Sequence, residues 1–180
     1  MKTLRRAQGS REMSIDIEIR SGDAGWPATK PLLTSIWPLG GPIEWANPDL
    51  RVMIETPEGQ LVCHAGIYRR IGIWKGRKVK IGGIGGVATH PEHRKHGYAG
   101  IALGAAIQTL RDENTTDFVL LVCEPHNFAF YEKRGWHAFN GGLQVEQKGE
   151  RVRFQAMAPY VFDMGLAPRD GVIDLCGLPW

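Results

Sequence analysis

GGVATHPEHRKHGYA, residues 85–99, is the stretch on which the reading of this chain turns. It begins small and apolar, a strand written with more glycine than strands usually carry. Pro91 stops that run, and His90, His93, Arg94, Lys95 and His96 crowd the turn that follows. Beyond Gly97 the residues Ala99, Ile101, Ala102, Ala105, Ala106, Thr109 and Leu110 recur at helical spacing. The stretch therefore reads as strand, short basic turn and helix start.

Three chemistries compete for such a turn. His90, His93 and His96 have spacing that would chelate a metal on a helix. Pro91 and Gly97 instead bracket a loop, Arg94 and Lys95 repel a dication, and only Glu92 adds a carboxylate nearby, so no metal is expected. Nucleic acid calls for basic residues spread along a face with stacking aromatics, and the basic cluster is confined to one turn. No nucleic-acid partner is expected. The third reading is an anion cradle. The first backbone N–H groups of a helix have no intrahelical partner, and Gly97 and Ala99 keep side-chain bulk away from them. Arg94 and Lys95 add charge. The bland alternative is an ordinary basic helix start.

Outward from this stretch, the chain alternates strand and helix signals. SIDIEIR (14–20) alternates Ile15, Ile17 and Ile19 with polar residues, the pattern of a half-buried strand. The Gly/Pro-rich segment that follows has room for one short helix around 29–36, stopped by Pro38. DLRVMIETP and QLVCHAGIYRRIGI read as strands joined through Pro57-Glu58-Gly59, and KGRK as a second hairpin turn into VKIGGIGGVAT. The helix from Gly97 should end near 111–114. FVLLVC (118–123) is a strand buried on both faces. Pro125 opens a helix that Gly135 closes. WHAF is a short strand, and RVRFQAMAPYVFDMG a long one interrupted by Pro159. The order implies an α+β (mixed α/β) fold.

Size and composition agree. A chain of 180 residues suits one domain, expected over 14–180, with residues 1–13 as a disordered tail. A formal charge of +3 is too small to impose a polyanionic partner, so any anion site must be local. Cys63, Cys123 and Cys176 are far apart and odd in number, which argues against a disulfide framework and for a cytoplasmic protein. No apolar stretch follows the basic N-terminal residues, so a secretory signal is not expected. No run reaches the ~18 apolar residues of a membrane span, so no membrane partner is expected.

GVATHPEHRKHGYA, FVLLVC and NFAFYEKRGW, in that order, resemble the GNAT N-acetyltransferase superfamily over roughly residues 14–165. The resemblance implies a central mixed, mostly antiparallel sheet of about six or seven strands flanked by three or four helices. It implies acetyl-CoA, or another acyl-CoA, as co-substrate. The diphosphate would sit on the amides of Arg94, Lys95, His96, Gly97, Tyr98 and Ala99, and the pantetheine arm would pair with Val87, Ala88 and Thr89. Asn127 would contact the cofactor. Tyr131 matches the family's general acid for the departing thiolate, and a phenol near pKa ~10 facing a thiol near ~8.5 makes that exchange feasible. The other reading of Tyr131 is a core aromatic beside Phe128 and Phe130.

Two subgroups look close. VCHAGIYRR (62–70), DGVIDL (170–175) and the final GLPW resemble aminoglycoside 2′-N-acetyltransferases, whose last tryptophan, here Trp180, places its carboxylate in the acceptor site. Residues 44–70 also resemble the NodA-type N-acyltransferases, which move long acyl chains. Both imply a small-molecule amine acceptor, an amino sugar among the candidates, held by Glu44, His64, Gly85 and Trp180. Gly85, Leu178 and, in a looser alignment, Leu39 stand where the first subgroup carries acids. A polycation needs several carboxylates to replace its hydration, so a less charged amine fits better. The base is left among the Trp180 carboxylate, His64 and none. A non-catalytic acyl-CoA-binding module is the remaining rival, and the edge strands leave room for a homodimer.

Overall fold

A computed structural model describes residues 15–38 and 40–180. The tail expected over 1–13 lies outside these residues, as does Leu39. The chain runs through β1 (Asp16–Ser21), α1 (Gly22–Ile36), β2 (Leu50–Glu55), β3 (Leu61–Trp74) and β4 (Arg77–Thr89). It continues through α2 (Tyr98–Glu113), β5 (Phe118–Cys123), α3 (Phe128–Glu132) and β6 (Trp136–Ala138). Four further strands follow: β7 (Gly142–Gln147), β8 (Glu150–Arg153), β9 (Ala158–Asp163) and β10 (Val172–Asp174). Short 3₁₀ turns at Pro91–His93 and Pro125–Asn127 lead into α2 and α3.

All ten strands join one sheet, in the order β6-β9-β5-β4-β3-β10-β7-β8, with β1 and β2 attached to the free part of β3. Its pairings are antiparallel except for β4 with β5 and β10 with β7. The α+β architecture matches the expectation from sequence, but the strand count exceeds the six or seven expected. The excess lies after β6. The run read as one strand across Pro159 is split into β8 and β9, and β7 and β10 were not foreseen. Each is short, and β10 exists because it pairs with β3 on one side and β7 on the other.

Side-chain alternation along the strands builds a core on each face. Val52, Ile54, Ala65, Ile67, Ile84, Val119 and Leu121 pack under α2 with Ala102, Leu103, Ala106 and Leu110. Phe118, Leu120, Val145, Val161, Ile173 and Trp180 form the opposite core. β5 contributes to both, as its unbroken apolar run requires. Burying a large aliphatic or aromatic side chain contributes about 1.5–3 kcal/mol, so these two layers supply most of the cohesion.

The turn at Lys75-Gly76 has positive φ at both residues, 50° and 74°, as a tight hairpin turn demands. α1 begins at Gly22, seven residues before the expected start. Ser21 caps it by accepting a hydrogen bond from the Ala24 amide, and Pro27 and Pro31 lie inside it. Packing outweighs those prolines: Gly22, Gly25, Thr29 and Leu32 bury one face on the sheet. A Cβ at Gly22 would come within 1.8 Å of the Pro48 carbonyl oxygen, so only glycine permits that approach. β1 is an edge strand, and Ile17 and Ile19 stay 48% and 42% exposed rather than half-buried. Among the described residues no helix is long and apolar enough to cross a membrane.

Candidate active site

β4 and β5 run side by side for only three pairs, Ile81 with Phe118, Gly82 with Val119 and Gly83 with Leu120. Both strands then continue, to Thr89 and Cys123, with no pairing between them. The sheet therefore forks at its centre. On its other edge β4 pairs with β3, and the register shifts between His64 and Gly66. Gly86, at φ 57°, forms the bulge there, a conformation that side chains resist. His64 fastens it: Nδ1 donates to the Gly86 carbonyl at 2.8 Å, which leaves Nε2 to accept from Arg51 at 3.2 Å. Burial pulls the imidazole pKa down to about 4, so the ring is neutral. Both nitrogens are engaged, which makes His64 a buttress of the bulge.

The basic turn lies at the open end of the fork. Val87, Ala88 and Thr89 are the last residues of β4, and His90 continues the strand by bonding its amide to the Val62 carbonyl at 2.9 Å. Lys95 and Gly97 take positive φ, 66° and 84°, and Gly97 caps α2 with no side-chain hydrogen bond. A Cβ at Gly97 would meet nothing within 4 Å, so the space beside the helix start is open. Arg94, Lys95 and His96 are exposed, and among the described residues no carboxylate pairs with Arg94 or Lys95. Tyr98 is buried and stacks on His96. Ala99 and Val87 pack against one core cluster. The His90 and His93 rings meet edge-on at 5.6 Å while His96 stacks on Tyr98, and among the described residues no group of three or more His, Cys, Asp or Glu is placed to hold a metal ion.

The β5 arm carries Tyr131. The 3₁₀ turn from Pro125 ends at Asn127, and α3 sets Tyr131 against Phe130 and Trp136, both edge-on at 5.0 and 5.9 Å. Its ring is 7% exposed, and its hydroxyl has no hydrogen-bond partner among the described residues. Burial, with nearby Cys123, raises its pKa above the usual phenol value. The hydroxyl therefore holds its proton more tightly than an ordinary phenol does.

On the opposite face of the sheet lies Trp180, 4% exposed. Tyr68 stacks on its indole at 5.4 Å and 17°, and the Arg70 guanidinium sits 5.2 Å from the ring. The indole Nε1 donates to the Leu120 carbonyl at 2.9 Å. A Cβ at Gly85 would come within 2.7 Å of the Trp180 backbone carbon. A side chain at 85 and the main chain of residue 180 thus compete for one place, which accounts for the glycine at this position. The Glu44 carboxylate accepts from the Lys148 amide at 2.7 Å at the β7–β8 turn. Two arginines went unnoticed in sequence, Arg51 at 4% exposure and Arg70 beside Trp180. A lone Arg in an apolar strand is the signal that could have flagged the first.

A mixed sheet forked at its centre, a helix start at the mouth of the fork and a buried phenol on one arm define an acyl-transfer scaffold. The chain belongs to the acetyltransferase (GNAT) domain family, whose model matches residues 44–139, and it is an acyltransferase. Its fold is similar to that of the Escherichia coli GNAT N-acetyltransferase YhbS, solved in complex with CoA, at 14% identity and TM-score 0.65 over 94% of each chain. It is also similar to Escherichia coli ElaA, at 13% identity and TM-score 0.58 over 83% of this chain and all of that one. An acyl-CoA N-acyltransferase from Pseudomonas aeruginosa aligns at 16% identity and TM-score 0.57, over 83% of this chain and 99% of the other. No curated protein matches the sequence.

Proposed function

We propose that this protein transfers the acetyl group of acetyl-CoA to a primary amine of a small molecule. The observation that carries the reading is the fork between β4 and β5, with uncapped helix amides at its mouth and Tyr131 on its far arm. The donor set suits the co-substrate. Amides of residues 94–99 and the charges of Arg94 and Lys95 match a diphosphate. Val87, Ala88 and Thr89 offer a strand edge to the amide-bearing arm, as in strand addition. Asn127, at the start of α3, adds a side-chain amide beside it. Bound there, acetyl-CoA supplies an activated carbonyl.

Tyr131 holds the proton for the departing sulfur. Because its pKa lies above that of a thiol, it serves as a hydrogen-bond donor that stabilises developing thiolate charge. The main-chain carboxylate of Trp180 takes the ammonium proton of the acceptor in the same proposal. His64, with both nitrogens engaged, leaves that task to it. The resemblance to aminoglycoside 2′-N-acetyltransferases supports an amine on a sugar. Arg51 and Arg70 make the acceptor side electropositive, however, which favours a weakly charged amine over a polycation.

Calorimetric titration with coenzyme A tests the fork, and release of thiol from acetyl-CoA against a panel of polyamines, amino sugars, aminoglycosides and peptides tests the acceptor. Tyr131→Phe should lower kcat by roughly 10²–10⁴-fold while leaving CoA affinity within about twofold. A variant with full turnover would remove Tyr131 from the reaction. Adding one residue after Trp180 should slow turnover with little change in CoA affinity, and unchanged kinetics would remove that carboxylate.

A further inference from the structure

Trp180 has a second relation to the fork, through its side chain. The last β4–β5 pair joins Gly83 to Leu120, and the indole touches both. A Cβ at Gly83 would stand 2.3 Å from Cε2 and 2.6 Å from Nε1 of the indole. The Leu120 carbonyl accepts the indole N–H at 2.9 Å. The ring is thus wedged at the point where the two strands part. Tyr68 and Arg70 close over its outer side, at 5.4 and 5.2 Å, and prevent it from swinging out. From the α2 face the apex is sealed by Ile84, Leu103, Leu110, Val119 and Leu121, none more than 1% exposed. An arm lying along Val87–Thr89 with its diphosphate end at residues 94–99 points its sulfur towards this apex. Whatever is attached to the sulfur meets a ring on one face and packed aliphatics on the other.

We infer that the Trp180 indole gauges acyl length, admitting acetyl and propionyl groups and excluding chains of six carbons or more. The inference rests on the acyl-CoA reading of the fork and names the co-substrate class within it. Gly83 belongs to the same device, because any side chain there would push the ring out. It also separates this protein from enzymes that transfer fatty acyl chains, since a long chain has no exit past a ring so enclosed.

The test compares CoA with non-reactive S-alkyl CoA thioethers of two, three, four, six and eight carbons by calorimetry, and the matching acyl-CoAs in turnover. In the unaltered protein, affinity and kcat/KM should fall at least tenfold between two and six carbons, since even one unaccommodated methylene in a rigid pocket costs roughly that much. Trp180→Ala should restore the six- and eight-carbon ligands at least tenfold relative to the two-carbon one. Trp180→Phe, which keeps bulk but loses the bond to Leu120, should shift the cut-off by one or two carbons and serves where the alanine variant does not fold. Equal binding and use of two- and eight-carbon ligands by the unaltered protein would overturn the inference, as would a ladder unchanged in both variants. Failure to bind unacylated CoA is a different result: it would bring down the reading of the fork, and the gauge with it.

Discussion

His64 joins two strands and a bulge through one neutral imidazole, at 1% exposure. The unfolded chain binds a proton there near the ordinary pKa of 6.5, whereas the folded ring resists it until about 4. The contribution of the neutral ring is therefore complete above pH 6.5 and is lost as pH falls towards 4. The difference corresponds to a loss on the order of 3 kcal/mol. Urea midpoints measured from pH 7 to pH 4 should fall steeply in the unaltered protein. In His64→Asn, which keeps a donor for the Gly86 carbonyl without the titrating ring, the fall should be shallower. Identical slopes would show that other groups dominate acid sensitivity. Arg51 gives the same site its charge: it donates to the Gly22 carbonyl at 2.7 Å and lies 5.1 Å from the Trp26 ring, with no carboxylate in ion-pair range among the described residues. Burial lowers its pKa.

Strand β4 is the element on which the site is assembled, and its glycines have distinct tasks. Gly86 turns the strand through positive φ, while Gly83 and Gly85 make room for residue 180. Crowding a packed site with one methyl group costs about 1–3 kcal/mol. Gly83→Ala should destabilise the fold by that amount, and the penalty should shrink in the double variant Gly83→Ala/Trp180→Ala. A denaturation cycle over the four proteins measures the coupling. Purely additive effects would mean that the methyl group and the ring do not meet. The helix at the mouth follows the same logic: Gly97, at φ 84°, both caps α2 and leaves its first amides open.

Across the molecule, the last residues tie regions distant in sequence. The Pro179 carbonyl accepts from the Ala46 amide at 2.7 Å, the Gly177 carbonyl from the Glu146 amide at 2.8 Å, and the Leu178 carbonyl from Arg70 at 2.6 Å. Trp180 then reaches β5 through Leu120. Removing so large a buried aromatic leaves a cavity and an unpaired carbonyl. Trp180→Ala should cost about 3–5 kcal/mol and lower Tm by roughly 10 °C in a chain of this size. A change within about 1 °C by calorimetry would mean that the segment is not part of the cooperative core.

Sequence alone determined the local pieces: the strand–turn–helix at 85–99, the doubly buried β5, and Tyr131 on the helix between Pro125 and Gly135. Those follow from periodicity, proline and glycine, all short-range physics, and the family resemblance followed from their order. Only the tertiary structure decided what these residues meet. α1 extends through two prolines because its small-residue face packs on the sheet, and β10 is a strand because two distant strands flank it. Glu44 caps the β7–β8 turn from more than a hundred residues away in the chain. The indole of Trp180 lies in the crotch of the fork because Gly83, Leu120, Tyr68 and Arg70 converge there from three separate strands. Such long-range convergence leaves no periodic trace in a sequence.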